Sequence, residues 1–108
     1  MKLTVLSENA VLYPGLEGEF GLSVYLEEGD TRLLFDAGER DACLRNAEKL
    51  GIDLRRVTAV AFSHNHRDHC GGLLTFLRGN RTAKVYLQKE AFGDYYVVTP
   101  TKCAFIGL

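Results

Sequence analysis

All three histidines of this chain fall within one six-residue window, in the stretch Ser63-His64-Asn65-His66-Arg67-Asp68-His69-Cys70-Gly71-Gly72. Imidazole nitrogen and carboxylate oxygen both bind hydrolytic metals at neutral pH. His64 and His66 are one residue apart, and in an extended or turning segment residues two apart point the same way, so both rings can reach one ion at roughly 2.0–2.1 Å. Asp68 and His69 follow where the backbone must curl into the next element and face a neighbouring position. One turn thus offers halves of two metal sites. Gly71 and Gly72 let backbone pass close to such a site without side-chain bulk. A polar surface loop is the plainer reading, but three histidines and an aspartate in this order, with no histidine elsewhere, favour metal. Cys70 is read as a small packed residue at the start of a helix rather than a ligand. Asp36, before Ala37-Gly38, suits ordinary turn chemistry. It can also accept the second ring N–H of a ligating histidine and hold its tautomer, and that role is preferred.

The elements around these residues must place them. Residues 2–6 and 21–27 carry β-branched and aromatic side chains in short runs and are expected as strands, with Pro14, Gly15 and Gly18 in the loop between. Gly29 and Asp30 form the centre of a tight primed turn into a third strand ending at Asp36. From about Arg40 to Leu50, the positions Cys43, Ala47 and Leu50 follow the spacing of one helix face, and Gly51 is a left-handed stop. Residues 57–62, VTAVAF, are nearly continuously apolar, which predicts a strand covered on both faces. The histidines begin at its carboxyl end, where α/β sheets place their ligands. Beyond them come a short helix over 72–77, a strand over 83–88, a helical turn near 89–93 and a last extended piece over 94–99. Tyr95 and Tyr96 are read as packing residues of that piece rather than as a cleft lining.

Composition bounds the function. The chain has 108 residues, 46% hydrophobic and 25% charged, as in an ordinary globular protein, and is long enough for one core. A net charge of −1 gives no electrostatic pull toward nucleic acid or an anionic membrane. The start, MKLTVLSENA, is too short in apolar residues for a signal core or a span, so a cytoplasmic location is expected. Cys43, Cys70 and Cys103 are widely spaced without a CxxC pair and are expected as free thiols.

The pattern His64-x-His66-x-Asp68-His69 after an apolar strand and before Gly-Gly resembles the signature of the metallo-beta-lactamase superfamily. GLSVYLEEGDTRLLFDAG resembles its early hairpin and Asp-x-Gly turn. SENAV, EFGLSVYL, LLFDAG and NAEKLGIDL are similar to the branch named for dihydropterin ribofuranosylaminobenzene phosphate synthase, and the likeness covers nearly the whole chain. It implies that His64 and His66 bind a first metal and that Asp68 and His69 bind a second. Zinc is the usual ion, with iron or manganese in some branches. Water activation is the implied chemistry: bound water is brought to a pKa of roughly 7, and Asp68 acts catalytically by orienting the hydroxide. Arg67, if it faces the cleft, favours an anionic substrate; a solvated side chain is the other reading.

The resemblance also implies a fold and a shortage. The superfamily fold is a four-layer αββα sandwich of two similar halves. The expectation for residues 1–108 is therefore an α/β fold, a single truncated half-domain with a mixed sheet and helices on one face. The second half of such proteins supplies a further histidine, a bridging aspartate and a last histidine, and this chain has no histidine after His69. Two ligands per ion fall short of the three a catalytic zinc takes from protein. An uncovered apolar sheet is an association site, so a homodimer or higher oligomer that completes the site is expected. The function expected is a metal-dependent hydrolase acting on a small molecule. The alternatives are an inactive metal-binding half-domain and a synthase of the related branch.

Overall fold

A computed structural model describes residues 1–108. Seven strands and three helices follow in chain order. β1 (Lys2–Ser7), β2 (Ser23–Glu28) and β3 (Thr31–Phe35) come first, then α1 (Ala42–Lys49) and β4 (Ala59–Ala61). The one-turn α2 (Arg67–Cys70), α3 (Leu73–Gly79), β5 (Lys84–Tyr86), β6 (Tyr96–Thr99) and β7 (Lys102–Phe105) complete the chain. The first five strands form one mixed sheet in the order β1-β2-β3-β4-β5, and β6 and β7 form a separate hairpin.

The β2–β3 hairpin turns on Gly29-Asp30, with Glu28 opposite Thr31. Only Gly29 of the two has positive φ, the arrangement of a primed turn with glycine first. β3 then pairs in parallel with β4, and β4 with β5. Parallel neighbours need a crossover, and α1 and the α2–α3 pair supply the two.

Register decides which residues form the core. Tyr25, Leu34 and Val60 lie opposite one another across β2, β3 and β4, and all three are buried. With Leu6, Cys43, Ala47, Val57, Leu73 and Phe76 they make one cluster, so the helices cover that face. The expected helix is present one to two residues shorter at each end, and Gly51 is left-handed after it. Its buried stripe differs from the sequence reading: Leu50 is exposed, and Asn46 takes the inward place. The Asn46 amide donates to the Leu6 and Glu17 carbonyls at 2.7 Å each and accepts from Glu17 N–H at 2.9 Å. It thereby ties the 8–20 loop to α1 and β1, a role that apolar periodicity does not reveal.

The opposite face of the sheet is open. The expectation that residues 57–62 are covered on both sides is corrected: Val57, Val60 and Phe62 are buried, while Ala59 and Ala61 are only half-buried. Continuous apolar sequence marks a face meant for cover, not one already covered within these residues. Leu3, Val5 and Tyr86 lie on this open face and are exposed, and Leu26, Leu33 and Phe35 are half-buried.

The last extended piece is one arm of a hairpin, for which Pro100-Thr101 provides the turn. β7 is absent from the sequence reading because KCAF is short and lacks strict alternation. The hairpin docks through backbone: Arg67 N–H donates to the Ile106 carbonyl at 2.8 Å, and Ile106 N–H to the Tyr95 carbonyl at 2.9 Å.

The three cysteines are unpaired. Burial pushes the Cys43 thiol up to about 12 and the Cys70 thiol up to about 11, whereas Cys103 is exposed on β7. Thiolate is the reactive form. The folded protein is expected to give one fast-reacting thiol with a disulfide reagent at pH 8 and three in denaturant; two fast thiols in the folded state would contradict this packing.

Candidate metal centre

The parallel pairing of β3 with β4 builds the site. Phe35 lies opposite Ala61, and Asp36 N–H donates to the Ala61 carbonyl at 2.9 Å, so the carboxyl ends of the two strands finish side by side. Asp36 leaves β3 there and Ser63-His64 leaves β4. Asp36 is fully buried and holds φ at +55°, uncommon for a residue other than glycine.

The Asp36 carboxylate organises its neighbours. Oδ1 accepts the Ser63 backbone N–H at 2.8 Å, and Oδ2 accepts the Ser63 hydroxyl at 2.7 Å. Oδ2 also lies 2.8 Å from His69 Nδ1. Ser63 Oγ is in turn 2.8 Å from His64 Nδ1. Counting protons assigns the tautomers. The carboxylate has none to give, so Ser63 must spend its single hydroxyl proton on Asp36 and can only accept from His64 Nδ1–H. The same reasoning puts the His69 proton on Nδ1. Both imidazoles are left with a lone pair on Nε2, the form a metal requires. Desolvation by burial, with the neighbouring His69 and His66, lowers the His64 pKa and holds that ring neutral.

His64, Asp68 and His69 bring their donor atoms within 4.8 Å of one another. The His64 and His69 rings have centroids 4.2 Å apart, and Asp68 Oδ2 lies 3.3 Å from His69 Nε2. His66 stands beside this trio rather than in it, with its ring edge-on to His64 at 4.6 Å. Neutral imidazole nitrogens plus one partly exposed carboxylate are a donor set suited to a divalent ion of the zinc, iron or manganese kind.

Glycines permit the crowding. A Cβ on Gly71 would run into the Glu39 carbonyl, and one on Gly72 into the Ala37 carbonyl. The loop after β3 and the start of α3 are therefore in backbone contact, and Ala37 N–H donates to the His69 carbonyl at 2.6 Å. Gly21 makes the same kind of approach to the Asp68 carbonyl from the other side.

Cys70 points away from the ion-binding side, its thiol directed at the Asn65 and His66 carbonyls at 3.2 and 3.1 Å. Arg67 lines a cleft, but its guanidinium pairs with Glu39 at 2.9 Å and is not a free cation. Tyr95 departs from the packing role read for it. It precedes β6 and, with His64, His66, Gln88 and Glu90, lines a cleft of about 360 Å³. Ser63 and Asn65 were passed over in the sequence. Asn65 is buried and donates to the Ala91 carbonyl at 2.7 Å, clamping the histidine loop. The signal for Ser63 was its place between the end of the strand and the first histidine.

The family model of the metallo-beta-lactamase superfamily matches residues 16–94. An uncharacterized protein of Methanocaldococcus jannaschii is 32% identical over 95 residues, covering 87% of this chain and 37% of its own length. The crystal structure of Tm1679, described as a metal-dependent hydrolase of the beta-lactamase superfamily, superposes with a TM-score of 0.74 at 36% identity, over 97% of this chain and 35% of that one. A candidate metallo-beta-lactamase of Thermotoga maritima gives a TM-score of 0.60 at 31% identity, over 82% of this chain and 44% of that one. The chain thus spans a little over a third of the length of the first two. No helix here is long and apolar enough to cross a membrane. By matched sequence and by architecture, this chain belongs to the metallo-beta-lactamase superfamily.

Proposed function

We propose that the chain is the metal-binding half of a metal-dependent hydrolase acting on a small molecule, with His64 and His66 on a first divalent ion and Asp68 and His69 on a second. The observation that carries this reading is the Asp36 network, which engages Nδ1 of both His64 and His69 and leaves their Nε2 atoms for a ligand, with Asp68 Oδ2 3.3 Å from His69 Nε2. Ions held there, zinc first and iron or manganese next, would supply a nucleophile by lowering the pKa of bound water and would polarise the electrophile. Asp68 orients that water through its carboxylate, Asp36 and Ser63 hold the rings, and the hairpin with Tyr95 walls the approach.

The coordination shell needs donors from beyond these elements. A monomer of this mass exposes roughly 6,000 Å² when compact. This chain exposes 7020 Å². The excess is comparable to the roughly 800 Å² each partner gives to a standard interface. We place a second copy against the open face of β1–β5, sheet on sheet, in a homodimer that imitates the full sandwich. Sedimentation at micromolar concentration should return a dimer; a stable monomer would rule this part out.

Metal analysis joined to an ester and phosphodiester screen tests the whole. About two ions per completed site, with turnover lost in His66→Ala, is the expected result. Bound metal with no turnover would assign the chain to metal binding alone, and no bound metal would end the reading.

A further inference from the structure

Residues 92–106, which carry the β6–β7 hairpin, contain no buried side chain, and the two strands pair only with each other. The buried positions are the two ends, Ala91 and Gly107. Both ends meet at one side chain. The Asn65 amide donates to the Ala91 carbonyl at 2.7 Å, and a Cβ on Gly107 would stand 3.5 Å from Asn65 Nδ2. Arg67 N–H donates to the Ile106 carbonyl, and Ile106 N–H to the Tyr95 carbonyl, which closes the base. Beneath the hairpin, Val97, Lys102 and Ala104 share a cleft of about 420 Å³ with His66 and Asp68, so that face has no core to rest on. A two-stranded hairpin is only marginally stable by itself. This one is a flap whose order depends on its hinge.

The hinge residues alternate with the metal donors. Asn65 lies between His64 and His66, and Arg67 between His66 and Asp68. Donors drawn onto an ion lose freedom relative to one another, and the backbone between them loses it with them. We propose that the flap is metal-gated: with the donors of the corner engaged on a divalent ion, residues 92–106 stay docked over the cleft, and with the donors released they open about Asn65. Local opening belongs to segments with so little buried contact. Coupling of this kind is reciprocal, so a docked flap tightens metal binding by the factor by which metal favours docking. The gate adds regulation to the hydrolytic site and rests on the metal-binding reading of the corner.

Amide exchange followed by NMR on the full chain tests it, with Ile106 N–H as the flap reporter and Lys84 N–H, bonded to the Thr58 carbonyl in the sheet, as the control. Zinc should slow exchange at Ile106 by about ten-fold and leave Lys84 unchanged. Asn65→Ala should speed Ile106 exchange in metal-free protein and abolish the zinc effect. Val98→Gly separates coupling from local damage to the corner, because Val98 is 73% exposed and its neighbour Val97, not Val98, faces the cleft. Glycine weakens the strand, and zinc affinity should fall by about two- to five-fold. Zinc that binds without slowing Ile106, equal slowing at Lys84, or unchanged zinc affinity in Val98→Gly would each overturn the gate. Failure of the metal reading would show differently: calorimetry would find no zinc bound, while Asn65→Ala would still speed Ile106 exchange.

Discussion

Asp36→Ala is expected to lower the stability of the protein by about 2–4 kcal/mol and to weaken zinc binding by about 10–100-fold. Three groups lose their acceptor at once: the Ser63 backbone N–H, the Ser63 hydroxyl and the His69 ring. The position is fully buried, so water does not readily replace the carboxylate. Alanine must also hold the left-handed backbone at +55°, which adds about 1 kcal/mol. Asp36→Asn separates the two effects. Asparagine tolerates this backbone conformation and keeps the volume, but its amide puts a donor where one of the two acceptor oxygens stood. It should recover a good part of the stability and little of the metal affinity. Urea unfolding with zinc calorimetry reads both quantities, and unaltered zinc affinity in Asp36→Ala would refute the tautomer argument.

Gly21→Ala should be more damaging to the fold, by more than about 3 kcal/mol. Its φ of +113° lies where residues with a side chain rarely go, and a Cβ there would collide with the Asp68 carbonyl. Backbone cannot swing aside as a side-chain tip can, so α2 would have to move and carry Asp68 with it. Gly29→Ala is the control. Gly29 also has positive φ, +53°, but meets nothing within 4 Å, and it should cost only about 1 kcal/mol. The difference between the two urea midpoints isolates the close approach from the backbone conformation. Equal losses would mean that the 18–22 loop does not rest on α2 in solution.

These two residues show how the site is assembled. Neither Asp36 nor Gly21 is near the histidine segment in sequence, and each is pressed against it, Asp36 at Ser63 and His69 and Gly21 at Asp68, by a different strand connection. The parallel β3–β4 pair supplies one contact, and the loop entering β2 supplies the other. The metal corner is thus the meeting point of three segments, which is why its geometry depends on remote glycines as much as on its own donors.

What could be read from residues alone was whatever is local. Three imidazoles and a carboxylate in six positions announce metal chemistry, Gly29-Asp30 announces a hairpin, and Gly51 ends a helix, because each depends only on side-chain type and on the backbone freedom of adjacent residues. The preference for Asp36 as the acceptor of a ring N–H also came from its place at a strand end. Which ring it serves did not, since that requires knowing that β3 and β4 run parallel and stop together. Long-range pairing likewise decided that Asn46 rather than Leu50 turns inward, that Ser63 relays between Asp36 and His64, and that Arg67 is spent on Glu39. Polar groups choose partners by where distant backbone carbonyls and charges arrive, and only the folded chain brings those within reach.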